Sequence, residues 1–216
     1  MSKCRVGVLI SGNGSNLQAL IDACGLADFP AEIVVVISSK ADAFGLERAK
    51  KSGIPALVLD HQDFASRALF DEEMQRLLDR HLVDVVCLAG FMRLLTPAFV
   101  HSWRDRLINI HPSLLPSFKG VHAHRDAIAA GVRISGCSVH FVRAEMDVGP
   151  IIMQAAVPVL PDDTEEVLGK RVLAQEHVCY PLALRWLAEG RLSVVDEKVV
   201  VSAVAYGESA LLVPPH

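Results

Sequence analysis

No Cys-x-x-Cys pair occurs among the five cysteines, Cys4, Cys24, Cys87, Cys137 and Cys179. An odd, scattered count gives neither a closed disulfide framework nor zinc spacing, so reduced thiols and a cytoplasmic location are expected. No long apolar run follows the single lysine ahead of Cys4, which argues against a secretory signal, and no run elsewhere approaches a membrane span. Basic charge is not in excess either. The formal net charge is -4, which gives no general pull toward nucleic acid and leaves room only for a local basic pocket facing an anion. Repeats, low-complexity tracts and linkers are lacking. What is present is 216 residues, 51% hydrophobic and 21% charged, enough to bury a substantial core and too apolar for disorder. The expectation is a soluble monomer or homodimer with small-molecule substrates, no nucleic-acid partner and no membrane partner.

Apolar runs alternate with helical patterns through the first half. Arg5 to Ile10, Ile33 to Ile37, Ala56 to Leu59 and Val83 to Ala89 read as buried strands. Between them Leu17, Leu20, Ile21 and Cys24 stripe one helix. Ala43 to Lys51 forms a second, stopped by Gly53, and Leu69, Met74, Leu77 and Leu78 stripe a third. This order predicts an α/β fold, a Rossmann-like doubly wound and mostly parallel sheet with helices on both faces. In the second half Leu107 to Ile110 is a strand, followed by a loop rich in Pro, Gly and His from His111 to His124. Cys137 to Val142 and Ile151 to Val157 are strands around the loop Arg143 to Pro150. Asp163 with Glu166 reads as a capping box opening a helix to about Leu187, which Pro181 should kink. Leu192 to Val201, broken at Asp196-Glu197, predicts a C-terminal β-hairpin.

Two segments carry most of the chemistry. Gly12-Asn13-Gly14-Ser15-Asn16 lies between a strand and a helix, where backbone N–H groups and the helix dipole favour an anion. Leu17 replaces the third glycine of a dinucleotide fingerprint, and Ser38-Ser39-Lys40 stands where a ribose-binding acid belongs, so a single phosphate fits better. In Asn109-Ile110-His111-Pro112-Ser113-Leu114-Leu115-Pro116, strand alternation puts Asn109 and His111 on one face. Pro112 biases His111 toward extended backbone. An amide donor beside an imidazole suits an oxyanion, hence formyl or acyl transfer. A turn asparagine and a core histidine are the alternative, and the residues alone leave both open.

Asp147, in a loop before Gly149-Pro150, could orient such an imidazole; spacing alone equally gives an ordinary turn aspartate. His122, His124, His140 and Asp147 raise the question of a metal, yet no helix offers a His-x-x-x-His pair, so no metal is expected. Glu176 falls on the inward stripe of the long helix, either gripping ribose hydroxyls or an amine, or lying at the stripe edge. The apolar turn Leu88 to Leu95 suits a flat heterocycle, or simply packs under a helix.

Assembled in order, these segments resemble the phosphoribosylglycinamide formyltransferases, a family of folate-dependent formyltransferases. The likeness runs from Val8 to about Arg191 and also includes Lys40 to Gly45, Ser138 to Val142 and Gln175-Glu176-His177. It implies transfer of a formyl group from 10-formyltetrahydrofolate to the amine of glycinamide ribonucleotide in purine biosynthesis. By the resemblance Asn109, His111 and Asp147 are catalytic, and Gly12, Asn13, Gly14, Ser15, Asn16 and Glu176 bind the ribonucleotide. Phe91, Met92, Arg93, Leu94, Leu95, Asn109 and Val142 would line the folate slot, with Arg67 near its glutamate tail. One domain, 1–216, would then comprise a phosphate-binding half (about 1–104) and a catalytic and folate-binding half (about 105–216). Leu173, Ser117-Phe118-Lys119 and Ala144 depart from the family pattern. The C-terminal hairpin matches least, and the chemistry is expected not to rest on it. A tRNA formyltransferase should carry a further basic domain and a formyltetrahydrofolate hydrolase a regulatory one, so both are disfavoured. A non-enzymatic nucleotide-binding module would explain the phosphate loop alone.

Overall fold

The computed structural model of the chain describes residues 2–203; Met1 and residues 204–216, which the predicted single domain also includes, lie outside the described residues. Seven strands form one sheet: β1 (Cys4–Ile10), β2 (Ala31–Ser38), β3 (Ala56–Val58), β4 (Val85–Leu88), β5 (Leu107–His111), β6 (Ile134–Phe141) and β7 (Ile151–Pro158). Their order is β3-β2-β1-β4-β5-β6-β7. The first five are mutually parallel; β6 runs antiparallel to β5, and β7 antiparallel to β6. The chain moves outward from β1 to β3 and then returns to β4 on the other side of β1. Beyond the carboxyl ends of β1 and β4 the outgoing loops therefore diverge, and this crevice is where open α/β sheets hold ligands.

The apolar runs form strands because both sheet faces are covered. Alternate residues feed two cores: Val6, Val8, Ile10 and Cys87 pack on one side, and Leu9, Val86, Leu88 and Leu107 on the other. The first core holds buried residues of α1 (Ser15–Cys24), α2 (Gly45–Lys51), α5 (Ala123–Ala129) and α6 (Glu165–Ala188), and the second those of α3 (Arg67–Arg80) and α4 (Pro97–Ser102). A separate hairpin, β8 (Leu192–Val195) with β9 (Lys198–Val201), turns through Asp196 and Glu197, both at positive φ. That fits the strand-to-strand break read from the sequence.

Several local expectations shift. Met74 and Leu78 of the predicted α3 stripe are buried and Leu77 packs beside them, whereas Leu69 is 45% exposed; in that first turn Phe70 faces the core instead, with Asp71 buried where it accepts from the Thr96 N–H. Thr164, not Asp163, caps α6 by accepting from the Val167 N–H. Asp163 accepts from the Leu160 N–H and pairs with Arg171 instead, since the side chain nearer the first free N–H takes the capping role. The helix continues through Pro181. Two short helices, α4 and α5, were not expected; Thr96 and Pro97 start α4 with a cap and a proline in its first turn.

The antiparallel β6–β7 pair is tightly seated. A Cβ on Gly136 would lie 1.9 Å from the Ala155 carbonyl oxygen. Gly136→Ala must push the strands apart, with an expected destabilisation of about 1–3 kcal/mol or more, read as a lowered midpoint in urea unfolding.

Candidate active site

The loop after β1 is built and braced by backbone. Gly14 adopts φ 74, which lets the chain turn into α1 without a side-chain cap, leaving the first N–H groups of the helix free for a ligand. The start of α2 buttresses this loop. The Gly45 N–H donates to the Gly12 carbonyl at 3.1 Å, and a Cβ on Gly14 would stand 2.7 Å from the Gly45 Cα. Arg48 donates to the Asn13 carbonyl at 2.9 Å and to its side-chain oxygen at 3.0 Å. No local pattern marks Arg48, because its partner is a backbone carbonyl 35 residues away. Ser11, Gly12, Asn13, Gly14, Ser15 and Asn16 line a cleft of ≈ 210 Å³ together with Ala89, Gly90 and Met92.

From α6, Glu176 stands behind Asn16 and is not itself among the residues that line this cleft. It is buried, and Asn16 donates to its Oε2 at 2.7 Å. Asn16 Oδ1 is buried with no hydrogen-bond partner among the described residues, an acceptor suited to a ligand hydroxyl or amine. Burial pushes the Glu176 carboxyl pKa up, with the Asn16 hydrogen bond and the nearby His111 opposing it. A carboxyl raised in the folded state holds its proton longer than in the unfolded chain. Stability therefore falls as pH rises from the ordinary carboxylate range through the raised value. Glu176→Gln should remove that slope. Thermal melts are expected to show a gain over the parent at about pH 7.5 and little difference at about pH 4.

The second cluster grows from the end of β5. Asn109 and His111 share a face, and Pro112 to Pro116 is pinned onto β6 and β7 through Ser138 and Gln154. Ser138 Oγ donates to the Ser113 carbonyl at 2.7 Å and accepts from the Leu115 N–H at 3.0 Å, while Gln154 donates to the Leu115 carbonyl at 3.1 Å. His140 faces Asn109 across the antiparallel pair. Its Nδ1 lies 3.0 Å from the Phe141 carbonyl, which can only accept, so Nδ1 carries the proton. Nε2 is then the acceptor for the Asn109 amide at 3.3 Å. Burial lowers the His140 pKa, in keeping with a neutral ring. This fixes the Asn109 side chain from behind, a role that no local pattern around His140 signals.

His111 is 5% exposed. Its Nε2 lies 3.0 Å from the Phe118 carbonyl and its Nδ1 3.6 Å from Asp147 Oδ2. Asp147 holds a left-handed backbone, φ 54, and its other oxygen lies 3.9 Å from His140 Nε2. The Gly120 N–H donates to Asp147 Oδ2 at 3.1 Å, so the proline- and glycine-rich loop closes onto the same carboxylate. Asn109, His111 and Asp147 thus meet as the spacing allowed, with His140 as a fourth member.

A larger cavity of ≈ 450 Å³ lies on the other side of the Met92 turn, lined by His61, Phe64, Ser66, Arg67, Phe70, Met92, Arg93 and Leu94. Four of the residues expected at a folate slot are here: Arg67, Met92, Arg93 and Leu94. Phe91, Leu95, Asn109 and Val142 are not among its walls. Leu95 is buried in the second core, against which Phe91 and Val142 pack. The aromatic pair Phe64 and Phe70, edge to face at 5.7 Å, forms part of the same wall. Apolar walls with two guanidinium groups suit a flat ring system carrying an anionic tail. Met92 borders both cavities, and its N–H donates to Ser11 Oγ at 2.8 Å, tying the two loops together.

Among the described residues no group of three or more His, Cys, Asp and Glu could hold a metal ion. His122 is exposed at the start of α5, while a Cβ on Gly169 of α6 would lie 3.4 Å from the His124 ring. The cysteines are free; burial pushes the Cys4 and Cys24 thiols up to about 11 and about 12, which leaves them poor nucleophiles. No described helix is long and apolar enough to cross a membrane.

A family model described as formyl transferase matches residues 4–184. The phosphoribosylglycinamide formyltransferase of Escherichia coli strain K12 is 52% identical over 187 residues, 87% of this chain and 88% of that protein. A trifunctional purine biosynthetic protein adenosine-3 from Drosophila pseudoobscura pseudoobscura is 55% identical over 195 residues, 89% of this chain; the match spans only 14% of that relative's length. Among solved structures, glycinamide ribonucleotide transformylase 1 from Symbiobacterium toebii superposes with a TM-score of 0.90 at 50% identity, covering 92% of this chain and 94% of that one.

Proposed function

The chain belongs to the formyl transferase family, and from that premise we propose that it transfers the formyl group of 10-formyltetrahydrofolate to the amine of glycinamide ribonucleotide, a step of purine biosynthesis. The observation that carries this reading is the position of Asn109, His111 and Asp147 relative to the two cavities. Asn109 is the register partner of Leu88, directly before the Ala89–Met92 turn that borders both. A phosphate-bearing amine on one side and a formyl donor on the other would bring their reacting atoms together at the trio.

In this reading the free N–H groups at Gly14 to Asn16 hold the phosphate, and Glu176 with Asn16 holds the ribonucleotide's polar groups. The Arg67 and Arg93 cavity holds the folate, with the cations toward its glutamate tail. The amine adds to the formyl carbon, forming one C–N bond, and the bond to the folate nitrogen then breaks. One proton passes from the amine to that leaving nitrogen. As the formyl oxygen becomes negative, the Asn109 amide and the His111 imidazole donate to it. Asp147 stabilises the positive imidazole and helps order a proton-carrying water. The Phe118 carbonyl, which faces His111 Nε2, is the group an oxyanion would replace as acceptor.

The test is one assay of the purified chain with 10-formyltetrahydrofolate and three acceptors: glycinamide ribonucleotide, methionyl-tRNA and water. Turnover should require the ribonucleotide. Fast formyl loss with water alone would sink the transferase reading.

A further inference from the structure

The loop that carries Asp147 is fastened at its root by charged residues from three separate parts of the chain. Arg143 donates from Nε to Glu197 at 2.7 Å, from one terminal nitrogen to Asp105 at 2.8 Å and from the other to the Val142 carbonyl at 3.2 Å. Glu197 lies in the β8–β9 turn and also pairs with Arg104. Asp105 lies in the turn that leads into β5, the strand of Asn109 and His111. The Arg143 side chain is the covered member, 14% exposed, against 53% for Glu197 and 41% for Asp105.

The neck of this loop is narrow. The Phe141 N–H donates to the Pro150 carbonyl at 2.9 Å. A Cβ on Gly149 would meet the Phe141 carbonyl oxygen at 1.6 Å and the Arg143 Cγ at 3.4 Å, so the arginine stem lies against the returning chain two residues from Asp147. Asp147 itself sits at a positive φ, a conformation aspartate visits more readily than most residues. Single exposed ion pairs add little to stability. Four charges gathered at one neck have another use: they set the orientation of what the loop presents.

We propose that Arg143 is a positioning residue for Asp147, anchored through Glu197 to the C-terminal hairpin and through Asp105 to the entry of β5. This rests on the formyl-transfer reading of the trio. It also gives the hairpin, from which no chemistry was expected, a share in aligning the site.

Arg143→Met keeps the stem against Gly149 and removes the ion pairs; Glu197→Gln removes the anchor at an exposed turn. Both should raise amide hydrogen exchange in residues 143–150 and lower kcat by about tenfold, the scale of a small displacement of a catalytic group. KM for glycinamide ribonucleotide should stay within about twofold, because the phosphate loop is untouched. Arg143→Lys should recover most of the rate. Unchanged loop exchange in Arg143→Met overturns the proposal whatever the activity does. Looser exchange with normal kcat, or a raised KM with normal kcat, overturns it as well. If the parent chain itself fails to formylate the ribonucleotide, that failure counts against the proposed function, while the exchange measurement still decides whether Arg143 holds the loop.

Discussion

Asn109→Ala and His111→Ala are each expected to lower kcat by about 10²–10³, the usual loss when one oxyanion donor is removed. The loss should appear in kcat rather than KM, because the negative oxygen exists only on the way to the transition state. The Asn109 effect has a second source. His140 is neutral and accepts from the Asn109 amide, so truncation leaves a buried ring nitrogen without its donor. Asn109→Asp should be no better than alanine, since it offers an acceptor to an acceptor. Steady-state kinetics with glycinamide ribonucleotide check all three. If both alanine variants kept near-normal turnover, the donor roles would be wrong.

The other large effect belongs to Asp147. Asparagine tolerates the left-handed backbone that Asp147 adopts and still offers an oxygen to the Gly120 N–H. Asp147→Asn is thus close to a pure loss of charge between two imidazoles. Turnover is expected to fall by about 10²–10⁴, the range general acid–base groups contribute, with ribonucleotide and folate affinity retained in equilibrium binding. Retained affinity with unchanged turnover would assign Asp147 to the loop's architecture alone.

The sheet was legible because parallel strands buried on both faces read as short, near-continuous apolar runs, as Arg5 to Ile10 and Val83 to Ala89 do, between segments of helical period. Helix starts were less so. Asp163 and Thr164 compete as caps of α6, and in the first turn of α3 Phe70 rather than Leu69 turns inward, although Met74 and Leu78 follow the stripe. Within the site, Asn109 and His111 were visible because they are two apart on one strand. His140, Arg48 and Arg143 were not, since each acts through a partner distant in sequence. Strand register or loop packing, which no local pattern encodes, brings them there.

The sheet's change of direction at β5 also sets rules for how the chain can vary in length. Because β6 returns antiparallel, His140 stands directly across from Asn109, and Val139 and Phe141 belong to the opposite side. Inserting or deleting one residue in β6 ahead of His140 would exchange these faces, placing an apolar side chain behind the amide. Two residues would restore the parity. The β6–β7 pairing already absorbs an unmatched residue at Ile152, between the partners of Val139 and His140, so the outer strand can take up length changes that the inner one cannot. Length variants of this chain that keep their activity should therefore carry their insertions in β7 or the surface loops, and only in even steps within β6.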